Sequence, residues 1–150
     1  MKTVLLTGSG GFIGRNLRAH LARRDDIHLL CIDVENPREE LLAAVREADF
    51  VIHLAGVNRP KDPTEFVSGN VGFTQDLIGL LSARDEKIPL LISSSIQAAV
   101  DNPYGSSKLG AENSVRKYAI STAASVFVFR LPNVFGTWCR PNYNSVVATW

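Results

Sequence analysis

Cysteine is scarce in this chain, with Cys31 and Cys139 the only two in 150 residues. They stand far apart and make neither a metal-ligand nor a redox spacing, which excludes a disulfide framework and fits a reducing, cytoplasmic setting. Cys31 falls in a predicted buried strand and reads as a small core residue. Charge of one sign is equally absent. Sixteen Lys and Arg face fifteen Asp and Glu, a net charge of +1, so neither a nucleic acid nor a membrane surface is indicated as partner. No apolar run reaches the roughly 18 residues of a membrane span, and the N-terminus leads straight into a strand rather than a signal peptide. The three histidines have no partners at ligand spacing, so no metal is expected. Repeats, low-complexity tracts and linkers are missing too, leaving one domain able to bury about 70% of its unfolded surface.

What the chain does have is a glycine-rich turn written onto the end of a strand. Thr3 to Leu6 are apolar and β-prone. Gly8, Gly11 and Gly14 follow at three-residue spacing, and an amphipathic helix runs on through Asn16, Leu17, Leu21 and Ala22. In such a turn the first glycine permits the bend, the second lets the backbone approach a pyrophosphate, and the third lets helix and strand pack closely. The helix N-terminus offers N–H groups and partial positive charge to phosphate. With Asp33 about twenty positions on, at the end of the next strand, the pattern predicts a dinucleotide site.

Strand and helix alternate beyond it. Apolar runs at 4–7, 29–33, 50–54, 89–93 and 125–130 alternate with helical segments near 12–24, 38–48, 65–83 and 104–119. Most of the runs are apolar on both faces, as in a covered parallel sheet. The fold class is therefore α/β, a doubly wound parallel sheet whose ligands bind beyond the carboxyl ends of the strands. Residues just after each strand are Thr7–Gly14, Asp33, Ala55–Gly56, Ser93–Ser95 and Pro132–Asn133.

The fourth helix opens Asn102-Pro103-Tyr104-Gly-Ser-Ser-Lys108, with Asn102 as N-cap and Pro103 at the first helical position. Tyr104 and Lys108, four residues apart, share one helix face. A tyrosine hydroxyl alone is a poor acid or base at neutral pH; a nearby ammonium and an oxidised nicotinamide both stabilise its phenolate. Taken alone, a tyrosine and a lysine at this spacing describe an ordinary surface helix. Joined to the glycine turn and the Ser93–Ser95 cluster, they supply a dinucleotide site, an oxygen-binding hydroxyl and an acid/base, the parts of a carbonyl reductase or alcohol dehydrogenase.

The segments TGSGGFIG, HLAG (53–56), SSS (93–95), YGSSK (104–108) and RLPNVFG (130–136), in that order along nearly the whole chain, resemble the extended short-chain dehydrogenase/reductases, the NAD-dependent epimerase/dehydratase family. That resemblance implies a Rossmann fold and an enzyme acting on sugar nucleotides. It implies Ser95, Tyr104 and Lys108 as the catalytic set, with Lys108 also holding the nicotinamide ribose. Gly8, Gly11, Phe12, Ile13, Gly14, Asp33, Leu54, Ala55, Gly56 and Pro132 would bind cofactor. Asn70 matches the family's helix asparagine beside the active site, and Asn133 the residue that touches the substrate's diphosphate. The family often forms homodimers through the helices near 65–83 and 104–119.

LAGVNRP, SSSIQA-x-x-DNPYG-x-SK and FG-x-WC-x-PNYNSV are similar to a narrower group, the reductase domains of bifunctional capsular-polysaccharide enzymes on the route to UDP-N-acetyl-L-fucosamine. In those the domain reduces a UDP-4-keto-6-deoxy-N-acetylhexosamine with NADPH, and a zinc cupin follows. By that likeness residues 1–150 are an incomplete dinucleotide domain, C-terminally truncated, with the substrate-binding subdomain missing. SVVATW at 145–150 reads as the first turns of a further helix, and Trp138, Cys139 and Tyr143 as packing against the absent part. Ile96-Gln97-Ala98 after Ser95 lacks the Asp-Glu pair of dehydratases and departs from the Val-Tyr-Gly of 4-epimerases, which leaves 4-keto reduction in front. A 4-epimerase that retains its NAD and a non-catalytic dinucleotide-binding domain remain alternatives. Asp33 favours NADH, while the narrower likeness favours NADPH, with Arg15 or Arg38 as partner for a 2′-phosphate; NADPH is preferred on the direction of the reaction. Arg59 and His53 have structural readings beside any role at the site.

Overall fold

In a computed structural model, residues 1–141 are described. Strands β1 (Lys2–Thr7), β2 (Ile27–Ile32), β3 (Phe50–His53), β4 (Leu90–Ser95) and β5 (Val126–Leu131) form one sheet in the order β2-β1-β3-β4-β5. All its pairings are parallel, with Leu5 beside Leu30 and Val51, and Ile92 beside His53 and Val128. The order reverses at β1, so this is a doubly wound, Rossmann-type α/β sheet with its switch point between β1 and β3. The connections carry α1 (Phe12–Leu21), α2 (Arg38–Glu47), α3 (Thr64–Phe66), a π-helical stretch (Val67–Gly72), α4 (Phe73–Ser82), a 3-10 turn (Ile96–Ala99) and α5 (Pro103–Thr122).

Right-handed crossovers send α1 to one face and the others to the opposite face. There α2 packs on α4 and α4 on α5. The core lies under them. Leu5, Val51, Leu90 and Ile92 of the strands meet Leu41 and Val45 of α2, Leu77 and Leu81 of α4, and Val115 and Tyr118 of α5. Tyr118 is buried yet satisfied, its hydroxyl donating to the Ile88 carbonyl at 2.8 Å. The second face is less covered than the two-sided apolar pattern suggests. Val126 and Val128 of β5 pack on the core, but Phe127 and Phe129, which alternate with them, are exposed, and Phe127 stacks only partly on Phe50 at 6.2 Å between ring centroids.

Several expectations need correcting. Cys31 lies on the edge strand β2 and is half-buried rather than a core residue; its partial burial pushes the thiol pKa up. Ser94 and Ser95 belong to β4 instead of the loop after it. The third helical segment is not one regular helix but α3, the π-helical stretch and α4 in succession. Tyr143 and the segment 145–150 lie outside the described residues. No described helix is long and apolar enough to cross a membrane.

Candidate active site

The glycine turn forms where β1 must hand over to α1 beneath the β3 loop. Gly8 has φ +70°, and a Cβ there would sit 2.6 Å from the Ala55 amide nitrogen, so both conformation and space demand glycine. A Cβ on Gly14 would run into the Gly8 carbonyl and lie 2.8 Å from the Ser9 Cα, so the start of α1 packs directly on the turn. Gly11 caps α1 and brings no side chain to its N–H groups. A cradle kept free of side chains at a helix N-terminus fits a pyrophosphate. Asp33, expected at a ribose, reaches back to the turn: one carboxylate oxygen accepts from the Gly10 N–H and the other from the Val34 N–H at 2.8 Å.

The catalytic-type side chains converge on the same edge. Asn102 caps α5, its Oδ1 accepting from the Gly105 N–H at 2.7 Å, and its amide donates to Gln97 Oε1 at 3.0 Å. Ser95 ends β4 and caps the 3-10 turn, its Oγ accepting from the Gln97 N–H at 3.1 Å. These bonds fix the short link between Ser95 and Tyr104. The Tyr104 ring lies against Phe66, 5.7 Å between centroids. Lys108, one turn on, is buried and donates through Nζ to the Ser93 carbonyl at 3.1 Å. Burial lowers its pKa from 10.5 to about 8, against the opposing pull of the Glu112 carboxylate. Gly56 leaves room for this arrangement, since a Cβ there would lie 3.3 Å from Lys108 Nζ and 2.6 Å from Asn70 Oδ1.

One cleft of about 570 Å³ joins the two groups, within the size of small-ligand sites. Gly8, Gly11, Phe12, Ile13, Gly14, Leu54, Gly56, Ser95, Tyr104, Lys108, Pro132 and Asn133 line it. Three of the sequence-derived residues, Asp33, Ala55 and Asn70, do not line it. Asp33 holds the turn, and the Ala55 N–H points to Thr7 Oγ1 at 3.4 Å. Asn70 is buried; its Oδ1 accepts from the Val57 N–H and its amide donates to the Val57 carbonyl, both at 2.9 Å, and to Ser107 Oγ at 2.9 Å.

The two basic candidates for a 2′-phosphate diverge. Arg38 is tied to Asp76 in a bidentate pair at 2.6 and 2.8 Å, away from the cleft. Arg15 lines the cleft, its guanidinium 5.0 Å from the centre of the Trp138 ring. Trp138 therefore packs on α1 within the chain, and the loop that carries it is held by Asn16, which donates to the Thr137 carbonyl at 2.7 Å. Sequence reasoning missed Glu112, a fully buried carboxylate on α5 that accepts from Ser94 and Arg130; its i, i+4 spacing from Lys108 was the available signal. It also missed the partners of His53.

Residues 4–150 match the model of the NAD dependent epimerase/dehydratase family. The chain belongs to that family. Proteins similar to it include a UDP-2-acetamido-2,6-beta-L-arabino-hexul-4-ose reductase of Pseudomonas aeruginosa, 50% identical over 147 residues, 98% of this chain and 40% of that protein. Among solved structures, the capsular polysaccharide assembling protein CapF of Staphylococcus aureus superposes with a TM-score of 0.85 at 46% identity, over 97% of this chain and 40% of its own. RMD of Pseudomonas aeruginosa, solved with NADPH, gives 0.78 at 27% identity, over 95% of this chain and 58% of its own. The chain thus spans about 40% of the length of the curated reductase it matches.

Proposed function

We propose that this family member is the dinucleotide-binding and proton-transferring part of a longer reductase that acts on the 4-keto group of a UDP-4-keto-6-deoxy-N-acetylhexosamine. The observation that carries the reading is that Ser95, Tyr104 and Lys108 line the same cleft as Gly8, Gly11 and Gly14. The half-identical reductase and the NADPH complex of RMD support the substrate class and the cofactor respectively.

The chain's own residues divide the work. The glycine cradle and the N-terminus of α1 receive the pyrophosphate of NADPH, and Leu54, Gly56 and Pro132 line the cleft beyond it. When bound, the nicotinamide supplies the hydride that reduces the carbonyl carbon. Tyr104 donates its hydroxyl proton to the carbonyl oxygen and recovers one from solvent. Ser95 Oγ already accepts from Gln97, so its own hydrogen is left for that same oxygen. Lys108 spends one hydrogen on Ser93 and keeps its charge at neutral pH, stabilising the phenolate and holding a ribose hydroxyl. Asn133 at the cleft's rim takes the substrate diphosphate.

The test is stoichiometry in the complete protein. A reductase oxidises one NADPH for each 4-keto sugar consumed. A 4-epimerase converts sugar with no net loss of dinucleotide, and a non-catalytic binding domain converts none.

A further inference from the structure

His53 is among the most deeply buried polar groups of the molecule, and the mechanism above does not use it. It ends β3 with both ring nitrogens engaged. Nδ1 lies 2.7 Å from Thr7 Oγ1, and Nε2 lies 2.9 Å from Thr74 Oγ1. The neighbours decide which nitrogen carries the proton. Thr74 donates its single hydroxyl hydrogen to the Asn70 carbonyl at 2.6 Å, so towards His53 it can only accept. Nε2 must then be the donor, and Nδ1 the acceptor of the Thr7 hydroxyl. Thr7 Oγ1 in turn faces the Ala55 N–H at 3.4 Å. Donation runs in one direction, from Ala55 through Thr7, His53 and Thr74 to Asn70. From the Asn70 amide it continues to Ser107 Oγ, which donates to the Tyr104 carbonyl at 2.7 Å.

The ends of this chain are the two halves of the cleft. Thr7 immediately precedes Gly8 of the phosphate turn. Asn70 sits in the π-helical stretch, a rare local geometry frequent at functional sites, and it holds both backbone groups of Val57 beside Gly56 and Lys108. Thr7, Thr74, Asn70 and Ser107 are all buried, so a broken link would leave a polar group without water to replace its partner.

We propose that His53 is a positioning residue, which as the neutral Nε2–H tautomer locks the strand entering the glycine turn to the Asn70 segment and so sets the start of α5 relative to the dinucleotide. Burial, with the Lys108 ammonium as the charged group acting on it, drives the imidazole pKa down to about 3, so the lock is blind to pH across the working range. The inference rests on the reductase reading for its kinetic readout but not for its spectroscopic one.

Long-range proton–nitrogen NMR on histidine-labelled protein tests it, with His53 assigned among the three histidines by the signals lost in His53→Gln. The expected result is a protonated Nε2 and a bare Nδ1 that do not change between about pH 5 and 9. A protonated Nδ1, or a ring that titrates in that range, overturns the proposal even if the protein has no reductase activity. Kinetics provide the second arm. Glutamine can present an N–H where Nε2–H stood, and asparagine cannot reach it. His53→Gln should keep kcat within about threefold of wild type, while His53→Asn should lose about tenfold or more with dinucleotide affinity within about threefold. Equal kcat values in the two variants would contradict the lock.

Discussion

Replacing Glu112 by glutamine should cost about 3 kcal/mol, and the structure supplies the figure by two routes. Glu112 has no solvent exposure and joins three elements: it accepts from Ser94 of β4 at 2.6 Å, from Arg130 of β5 through two bonds of 2.8 Å, and from Arg116 of α5 at 2.8 Å. Burial alone would raise its pKa; the hydrogen bonds from Arg130, Ser94 and Arg116 outweigh burial and bring it from 4.5 to about 2. A fall of that size corresponds to about 3 kcal/mol. Independently, removing one partner of a buried ion pair costs about 3–5 kcal/mol, and the low end applies because Arg130 and Arg116 keep 39% and 47% of their side-chain exposure. For a domain of this size the loss is about 6–12 °C in melting temperature at pH 7. The pH dependence has a definite sign. The folded-state pKa lies below the unfolded one, so the stabilisation is complete above about pH 4.5 and disappears as pH falls towards 2. Calorimetric melts of wild type and Glu112→Gln should therefore differ most at neutral pH and converge in acid. A difference below about 2 °C at pH 7, or one that persists undiminished at pH 2, would refute the reasoning.

Two further substitutions probe the cleft itself. Lys108→Met should leave the melting temperature at pH 7 unchanged or higher while cutting turnover by about 10² to 10⁴. The lysine's folded-state pKa of about 8 lies below 10.5, so its buried charge costs stability below pH 8, and that cost fades as pH rises to 10.5; a lower melting temperature with turnover intact would contradict its assigned role. Asp33→Asn keeps an oxygen for the Gly10 N–H and removes only the charge; if that charge also acts on a 2′-phosphate, calorimetric titration should show the NADPH-to-NADH affinity ratio rising about tenfold. An unchanged ratio would mean that Asp33 serves only the turn.

The features legible in the sequence are those written in local spacing. Gly8, Gly11 and Gly14 between an apolar run and an amphipathic helix specify the turn, and Asn102-Pro103 specifies where α5 begins. Strand periodicity separates Ser94, which faces Glu112, from Ser93 and Ser95, which face the other way, although in the sequence the three serines read as one cluster after the strand. What stayed hidden depends on distant partners. Arg38 finds Asp76 and Arg15 finds Trp138 only once α2, α4 and the loop after β5 are assembled. The π-helical stretch at Asn70 carries no periodic signature, because VSGNVG fits an ordinary helix equally well. Phe127 and Phe129 lie in a run whose two apolar faces suggest a covered strand, because composition reports what a strand can bury, not what covers it.

The proposed reaction stands on Tyr104 delivering the proton that completes reduction at C4 of a sugar nucleotide. The direct measurement uses the complete protein with NADPH deuterated at nicotinamide C4, in wild type and in Tyr104→Phe, with both dinucleotide affinity and product followed. Label is expected at C4 of the reduced sugar in wild type, and in Tyr104→Phe turnover lower by about 10² or more with dinucleotide affinity nearly unchanged. Turnover of Tyr104→Phe within a few-fold of wild type, or unlabelled product with the dinucleotide returned intact, would contradict it.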